Sequence, residues 1–155
     1  MHLVLMIILC ASTTVVAQDN TALFSRIENA IRQKAPNWKL EKMQISKNGK
    51  YVYYRWKSGK SAVTILMLVH TSSQEVAKNF NALADDLEIN GLKMRRLGSS
   101  LQNLGDENYL WEGFRAQRVF GVDFRKGRIV VHTNAPSIAV AEQFALQIAE
   151  GIPSS

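Results

Sequence analysis

The chain has 155 residues, nineteen Lys and Arg against thirteen Asp and Glu, a net charge of +6 and a single cysteine, Cys10. That length fits one domain with one substantial core and is short for two. One cysteine excludes an internal disulfide, so stability has to come from burial.

Residues 1–10 are apolar, Ser12, Thr13 and Thr14 interrupt the run, and Val15-Val16-Ala17 places a small residue before Gln18. This pattern predicts a cleavable export signal over 1–17 and a single domain over 18–155, periplasmic or extracellular. His2 is the only residue of the first ten able to carry positive charge, and Leu9 before Cys10 argues against lipid attachment there. The apolar run is shorter than the ~20 residues that cross a bilayer. With Cys10 removed the exported domain has no thiol, and it carries no Asn-X-Ser/Thr acceptor.

Asn20 or Thr21 is positioned to cap a helix whose Ala22, Leu23, Ile27, Ala30 and Ile31 form one stripe, and Pro36 stops it. Asn48-Gly49 and Ser58-Gly59 then punctuate alternating segments rich in Tyr, Val, Ile and Trp, the signature of a three-stranded antiparallel meander. Two-residue turns at both places put Ile45 opposite Val52, Lys47 opposite Lys50, Lys57 opposite Lys60 and Tyr54 opposite Val63. One face then collects Met43, Ile45, Val52, Tyr54, Trp56, Val63, Ile65 and Met67. The other collects Lys42, Gln44, Tyr51, Tyr53, Arg55, Ala62, Thr64, Leu66 and Leu68.

Ser72 and Glu75 form a capping box for a second helix with Val76, Phe80, Leu83 and Leu87 on its stripe and Asn90-Gly91 at its end. Strands follow over 92–97, 109–113, 114–125 and 128–133, with Leu101 and Leu104 anchoring the loop between the first two. Pro136 or Ser137 opens a last helix that turns Val140, Ala141, Phe144, Ala145 and Ile148 inward and closes at Gly151. The expected fold is therefore α+β: an antiparallel sheet of six to seven strands with three helices, in a single-domain sandwich.

Leu104-Gly105-Asp106-Glu107, the hairpin Val122 to Val131 and the alanine-rich helix to Ala149 resemble the C-terminal half of small extracytoplasmic bacterial domains with a PsbP-like sandwich. The likeness covers about a third of the chain. It implies an antiparallel sheet flanked by helices and a binding or assembly role more often than catalysis, and it assigns no site residue.

Two constellations carry possible chemistry. Between Lys39 and Lys60 seven cations stand against one acid, Glu41, interleaved with Tyr51, Tyr53, Tyr54 and Trp56. Like charges directly across a ladder destabilise it, and Lys42, Tyr51, Tyr53 and Arg55 on one face combine stacking surface with cations. Lys42, Lys47, Lys50, Tyr51, Tyr53, Arg55, Lys57 and Lys60 are thus the candidate binding residues for an anionic envelope polymer, a membrane surface or a protein. The plain alternative is hairpin lysines that keep turns soluble. Leu66 and Leu68 on that face require cover or a partner, so docking of a second subunit through Tyr51, Tyr53, Leu66 and Leu68 is a further alternative.

The second constellation is Asp123 with His132, placed diagonally if Lys126-Gly127 is the turn, a pair suited to acid–base chemistry in a small hydrolase. Arg125 and Arg128 are the competing partners for Asp123 in a surface ion-pair cluster. Ser99, Ser100 and Thr133 are nearby hydroxyls without a nucleophile-elbow motif, and Asp106, Glu107 and Glu112 are further acids without a readable pairing. His70 and His132 have no spaced metal partner, and no glycine-rich phosphate loop is present. No metal, nucleotide or other cofactor is expected.

Overall fold

The computed structural model describes residues 11–80, 87–89, 92–98, 101–102, 104–114 and 118–153. The apolar segment 1–10, Leu83, Ser99 and Ser100 lie outside them. The described elements are α1 (Ala11–Lys34), β1 (Lys39–Ile45), β2 (Tyr51–Ser58), β3 (Ser61–Val69), α2 (Ser73–Phe80), β4 (Leu87–Ile89), β5 (Leu92–Gly98), β6 (Glu107–Phe114), β7 (Arg118–Lys126), β8 (Ile129–Asn134) and α3 (Ile138–Gly151). The fold is α+β, with the seven expected strands and the three-residue β4 in one antiparallel sheet of order β1-β2-β3-β8-β7-β6-β5-β4. Two meanders meet at the β3–β8 pair.

One sheet face is covered by α1 and α3. Their inward side chains Phe24, Ile27, Ile31, Phe144 and Ile148 pack with Val52, Tyr54, Trp56, Val63, Ile65 and Met67, all fully buried. This is the apolar face expected for the meander, although Met43 is only half-buried and Ile45 is exposed near the sheet edge. Tyr54 donates to the Phe24 carbonyl at 2.8 Å, locking α1 to β2 without leaving its hydroxyl unpaired. Ser137 caps α3 as expected, accepting from the Val140 amide. The anchors Leu101 and Leu104 both reach this core, Leu104 with no exposed surface.

Several local expectations are corrected. Among the described residues the first helix already runs from Ala11, ahead of Asn20 and Thr21, and nothing in 11–19 is a Gly or Pro that would break it. Asn20 sits inside the helix, buried, and donates from Nδ2 to the Gly49 carbonyl at 3.1 Å. Glu75 still donates its amide to Ser72 Oγ, but its carboxylate accepts from the Thr71 hydroxyl at 3.0 Å. The stripe expected to run on to Leu87 does not include it: Leu87 lies in β4 and faces Met94, and Ile89 faces Leu92, while Asn90-Gly91 lies outside the described residues.

Both Gly-centred turns are displaced by one position. Gly59 and Gly127, each with φ of 58°, are the first turn residues, because Ser58 faces Ser61 and Lys126 faces Ile129. A left-handed first position costs glycine nothing. Every expected pair therefore moves by two residues: Tyr54 faces Ile65 and Lys57 faces Ala62, not Val63 and Lys60. A slip of two preserves the side of every strand residue. At the β1–β2 turn Ile45 does face Val52, but Ser46 and Tyr51 close a longer loop that contains Lys47 and Lys50.

Candidate functional site

The face away from α1 and α3 carries both constellations, and the pairings join them. Gln44 faces Tyr53, Tyr53 faces Leu66, Leu66 faces His132, His132 faces Asp123 and Asp123 faces Tyr109. One transverse row thus runs from the basic meander into the Asp–His pair. α2 covers one end of this face: Val76 and Phe80 pack with Tyr109, Trp111 and Val130, and the Phe80 and Tyr109 rings lie 5.4 Å apart. Over β1–β3 the face is open: Tyr51 is 45% exposed, Lys42 and Gln44 are exposed, and Tyr53, Leu66 and Leu68 are half-buried.

Like charges do oppose each other in the meander, but not in the expected pairs: Lys39 faces Lys57 and Lys42 faces Arg55. The β1–β2 register shifts between Leu40 and Lys42, leaving Glu41 as an extra residue in a bulge. Its carboxylate reaches Arg55 Nε at 2.7 Å and also pairs with Lys57. The Lys57 hydrogen bond and the two cationic charges outweigh the burial penalty and hold the Glu41 carboxyl below its ordinary value. Lys57 is therefore neutralised locally, whereas Lys39, Lys42, Lys47, Lys50 and Lys60 have no acidic partner among the described residues.

Asp123 is not the centre of a surface ion-pair cluster with Arg125 and Arg128. It is buried and accepts from Tyr109 Oη at 3.1 Å and Trp111 Nε1 at 2.7 Å, and His132 Nδ1 lies 2.9 Å from Oδ2. His132 is directly opposite, not diagonal. Its ring stacks on Trp111 with centroids 5.1 Å apart and 9° between planes. Arg125 instead takes Asp106 at 2.9 Å and Glu107 at 3.4 Å, while Asp106 also accepts from the Gly127 amide and so fixes the β7–β8 turn. Glu112 is fully buried between the guanidinium groups of Arg95 and Arg118. The Arg118 hydrogen bond, with those of Arg95 and both charges, overrides desolvation and lowers its pKa.

The Asp–His geometry supplies an oriented imidazole whose side chain is 29% exposed. The hydroxyl beside it is that of Tyr109, on the same Asp123 oxygen, and no serine or threonine hydroxyl is bonded to the pair among the described residues. Thr133 is buried on the other face, accepting from the Val122 amide and donating to the Val122 carbonyl. The cleft between α1 and the β7–β8 turn and the one on α2 do not include His132 in their lining. The partners Tyr109 and Trp111 were not singled out from the sequence. Their alternation with Leu110 along β6 is the one signal that places them on the Asp123 side of the sheet.

Burial works against a charged His132, but the Asp123 charge and hydrogen bond prevail and raise its pKa above the ordinary value. The folded state therefore holds this proton more tightly than the unfolded chain. The resulting stability is fully present below about pH 6.5 and is lost as pH rises through the higher folded pKa. Urea unfolding between about pH 6 and pH 9 is expected to show this decline, with a slope of at most ~1.4 kcal/mol per pH unit. His132→Gln should flatten it, and an unchanged profile in that variant would assign the decline to another group.

No family model matches the chain, and no curated protein or solved structure was found to match it.

Proposed function

We propose that the chain is an exported, non-enzymatic binding or accessory domain that contacts an anionic partner through the open face and turns of β1–β3. The observation that carries this reading is the partly exposed half of the sheet, where Tyr51, Tyr53, Leu66 and Leu68 lie beside cations without acidic partners among the described residues. Flat aromatic and aliphatic surface with peripheral lysines suits a polymer or surface bearing carboxylate or phosphate groups. Lys57 and Arg55 contribute less than their number implies, since Glu41 holds both. Export belongs to the same proposal. Cleavage after Ala17 would leave the buried contacts from Asn20 onward in place, and among the described residues no helix is long and apolar enough to cross a membrane. A relationship of the stretch from Leu104 to Ala149 to the C-terminal half of PsbP-like domains, which implies a binding role more often than catalysis, is part of this reading too.

Binding to polygalacturonate and to phosphatidylglycerol vesicles, titrated with salt, tests the proposal. Affinity is expected to fall steeply with ionic strength, and replacing Lys42, Lys47, Lys50 and Lys60 by Gln should weaken it and flatten the salt dependence. Salt-insensitive binding, or binding untouched by the four changes, overturns it. A salt-insensitive, concentration-dependent dimer would assign the face to self-docking.

A further inference from the structure

A second cationic feature lies at the end of the sheet where the β1–β2 turn meets α1. The start of the buried part of α1, the β7–β8 turn and the end of α3 enclose a cleft of about 340 Å³. That volume falls within the range of small-molecule sites, ~300–1,000 Å³. Its lining includes Arg26, Lys126 and Arg128, with Leu23, Ile129 and Ile152 as an apolar wall, and no carboxylate among the described residues. Arg26 and Arg128 are exposed and have no acidic partner among the described residues. Lys126 Nζ donates to the carbonyls of Ala149 at 2.9 Å and Ile152 at 2.6 Å, so its ammonium is anchored at the C-terminal end of α3. The wall is firm, because Leu23, Ile129 and Ile152 belong to the main core.

Three cations around one concavity repel each other, and the α3 carbonyls relieve only the charge of Lys126. An anion placed between Arg26 and Arg128 removes the remaining repulsion, and the guanidinium geometry favours a carboxylate or a similar planar or tetrahedral oxyanion. The apolar wall adds affinity for a short hydrocarbon body but not for a bare ion. We propose that this cleft binds a small amphiphilic anion, with its carboxylate held by Arg26 and Arg128 and its hydrocarbon body against Leu23, Ile129 and Ile152. The site is separate from the open sheet face, and the two can succeed or fail independently.

Calorimetric titration of the full-length chain with octanoate, below its micelle-forming concentration, reads this site. Acetate supplies the head without the body, and octyltrimethylammonium the body with the opposite charge. Saturable octanoate binding is expected, with both comparison probes at least tenfold weaker. The double change Arg26→Gln with Arg128→Gln should also cost at least tenfold, whereas Lys60→Gln, at the far turn of the meander, should cost nothing. Both arginines are exposed, and an unchanged thermal midpoint verifies that the double variant is folded. Absence of saturable octanoate binding, equal binding of either comparison probe, or full affinity in the folded double variant overturns the proposal. Arg26→Gln alone provides the same reading should the double variant not fold.

Discussion

Replacing Asp123 by Ala is expected to destabilise the fold by about 3–5 kcal/mol, a large share of the ~5–15 kcal/mol typical of a domain. The carboxylate is 4% exposed and takes the Tyr109 hydroxyl, the Trp111 indole N–H and the His132 ring at once. Truncation would leave three donors facing a void on the side sealed by Val76 and Phe80. The loss is the desolvation of orphaned donors as well as the attraction itself. Asp123→Asn keeps the shape and one acceptor oxygen, so a smaller loss of about 1–3 kcal/mol is expected. Urea unfolding at pH 6 measures both, and an Asp123→Ala loss under about 0.5 kcal/mol, the range of an ordinary surface change, would contradict this account of the cluster.

Gly121→Ala should be nearly as damaging, for a steric reason. A Cβ at position 121 would lie 2.1 Å from the Thr133 carbonyl oxygen and 2.2 Å from the Trp111 ring atoms Cε2 and Cζ2. The first obstacle is backbone and the second a fully buried ring, so neither gives way cheaply. Overpacking of this kind costs about 1–3 kcal/mol and occasionally more. Trp111 faces Gly121 across the ladder, donates to Asp123 and stacks on His132, so displacing its ring loosens the whole cluster. Gly121→Ala and Asp123→Ala together should therefore cost less than the two separate losses combined. Full additivity in a double-mutant cycle would show that Trp111 does not link them.

Two other glycines, Gly59 and Gly127 in the hairpin turns, decide part of what was legible in the sequence. Alternation along β2 and β3 places Tyr54, Trp56, Val63 and Ile65 in the core and Tyr53, Leu66 and Leu68 on the opposite side, as the structure has them. These faces survive a turn displaced by one residue because the resulting slip is even. Cross-strand partners do not survive it: Lys57 loses Lys60 as its neighbour, and Asp123 meets His132 directly. Two glycines at the first turn position, and not the second, account for both differences. Ion pairing was less accessible, since the bulge at Glu41 depends on the β1–β2 register shift and decides that Arg55 and Lys57 are not free cations. The Asp123 cluster draws Tyr109 and Trp111 from β6, on the other side of β7 from His132, which alternation within one strand does not reveal.

The contiguity of the two constellations also emerges only in three dimensions. β3 and β8 are far apart in the chain yet adjacent in the sheet, so Leu66 meets His132 and the basic face continues to the edge of the α2-covered cluster. His132 therefore borders the proposed contact surface. Its protonation would add positive charge beside Tyr53 and Leu66. The Asp123 cluster forms this boundary, and the proposed contact surface lies on the β1–β3 half beyond it.

Lysine-modification footprinting of the full-length chain, with and without bound polygalacturonate, tests the contact face most directly. Protection of Lys42, Lys47, Lys50 and Lys60, with Lys78 on α2 and Lys93 on β5 reacting as in the free protein, is the predicted result. Protection of Lys78 or Lys93 in place of the meander lysines would contradict it.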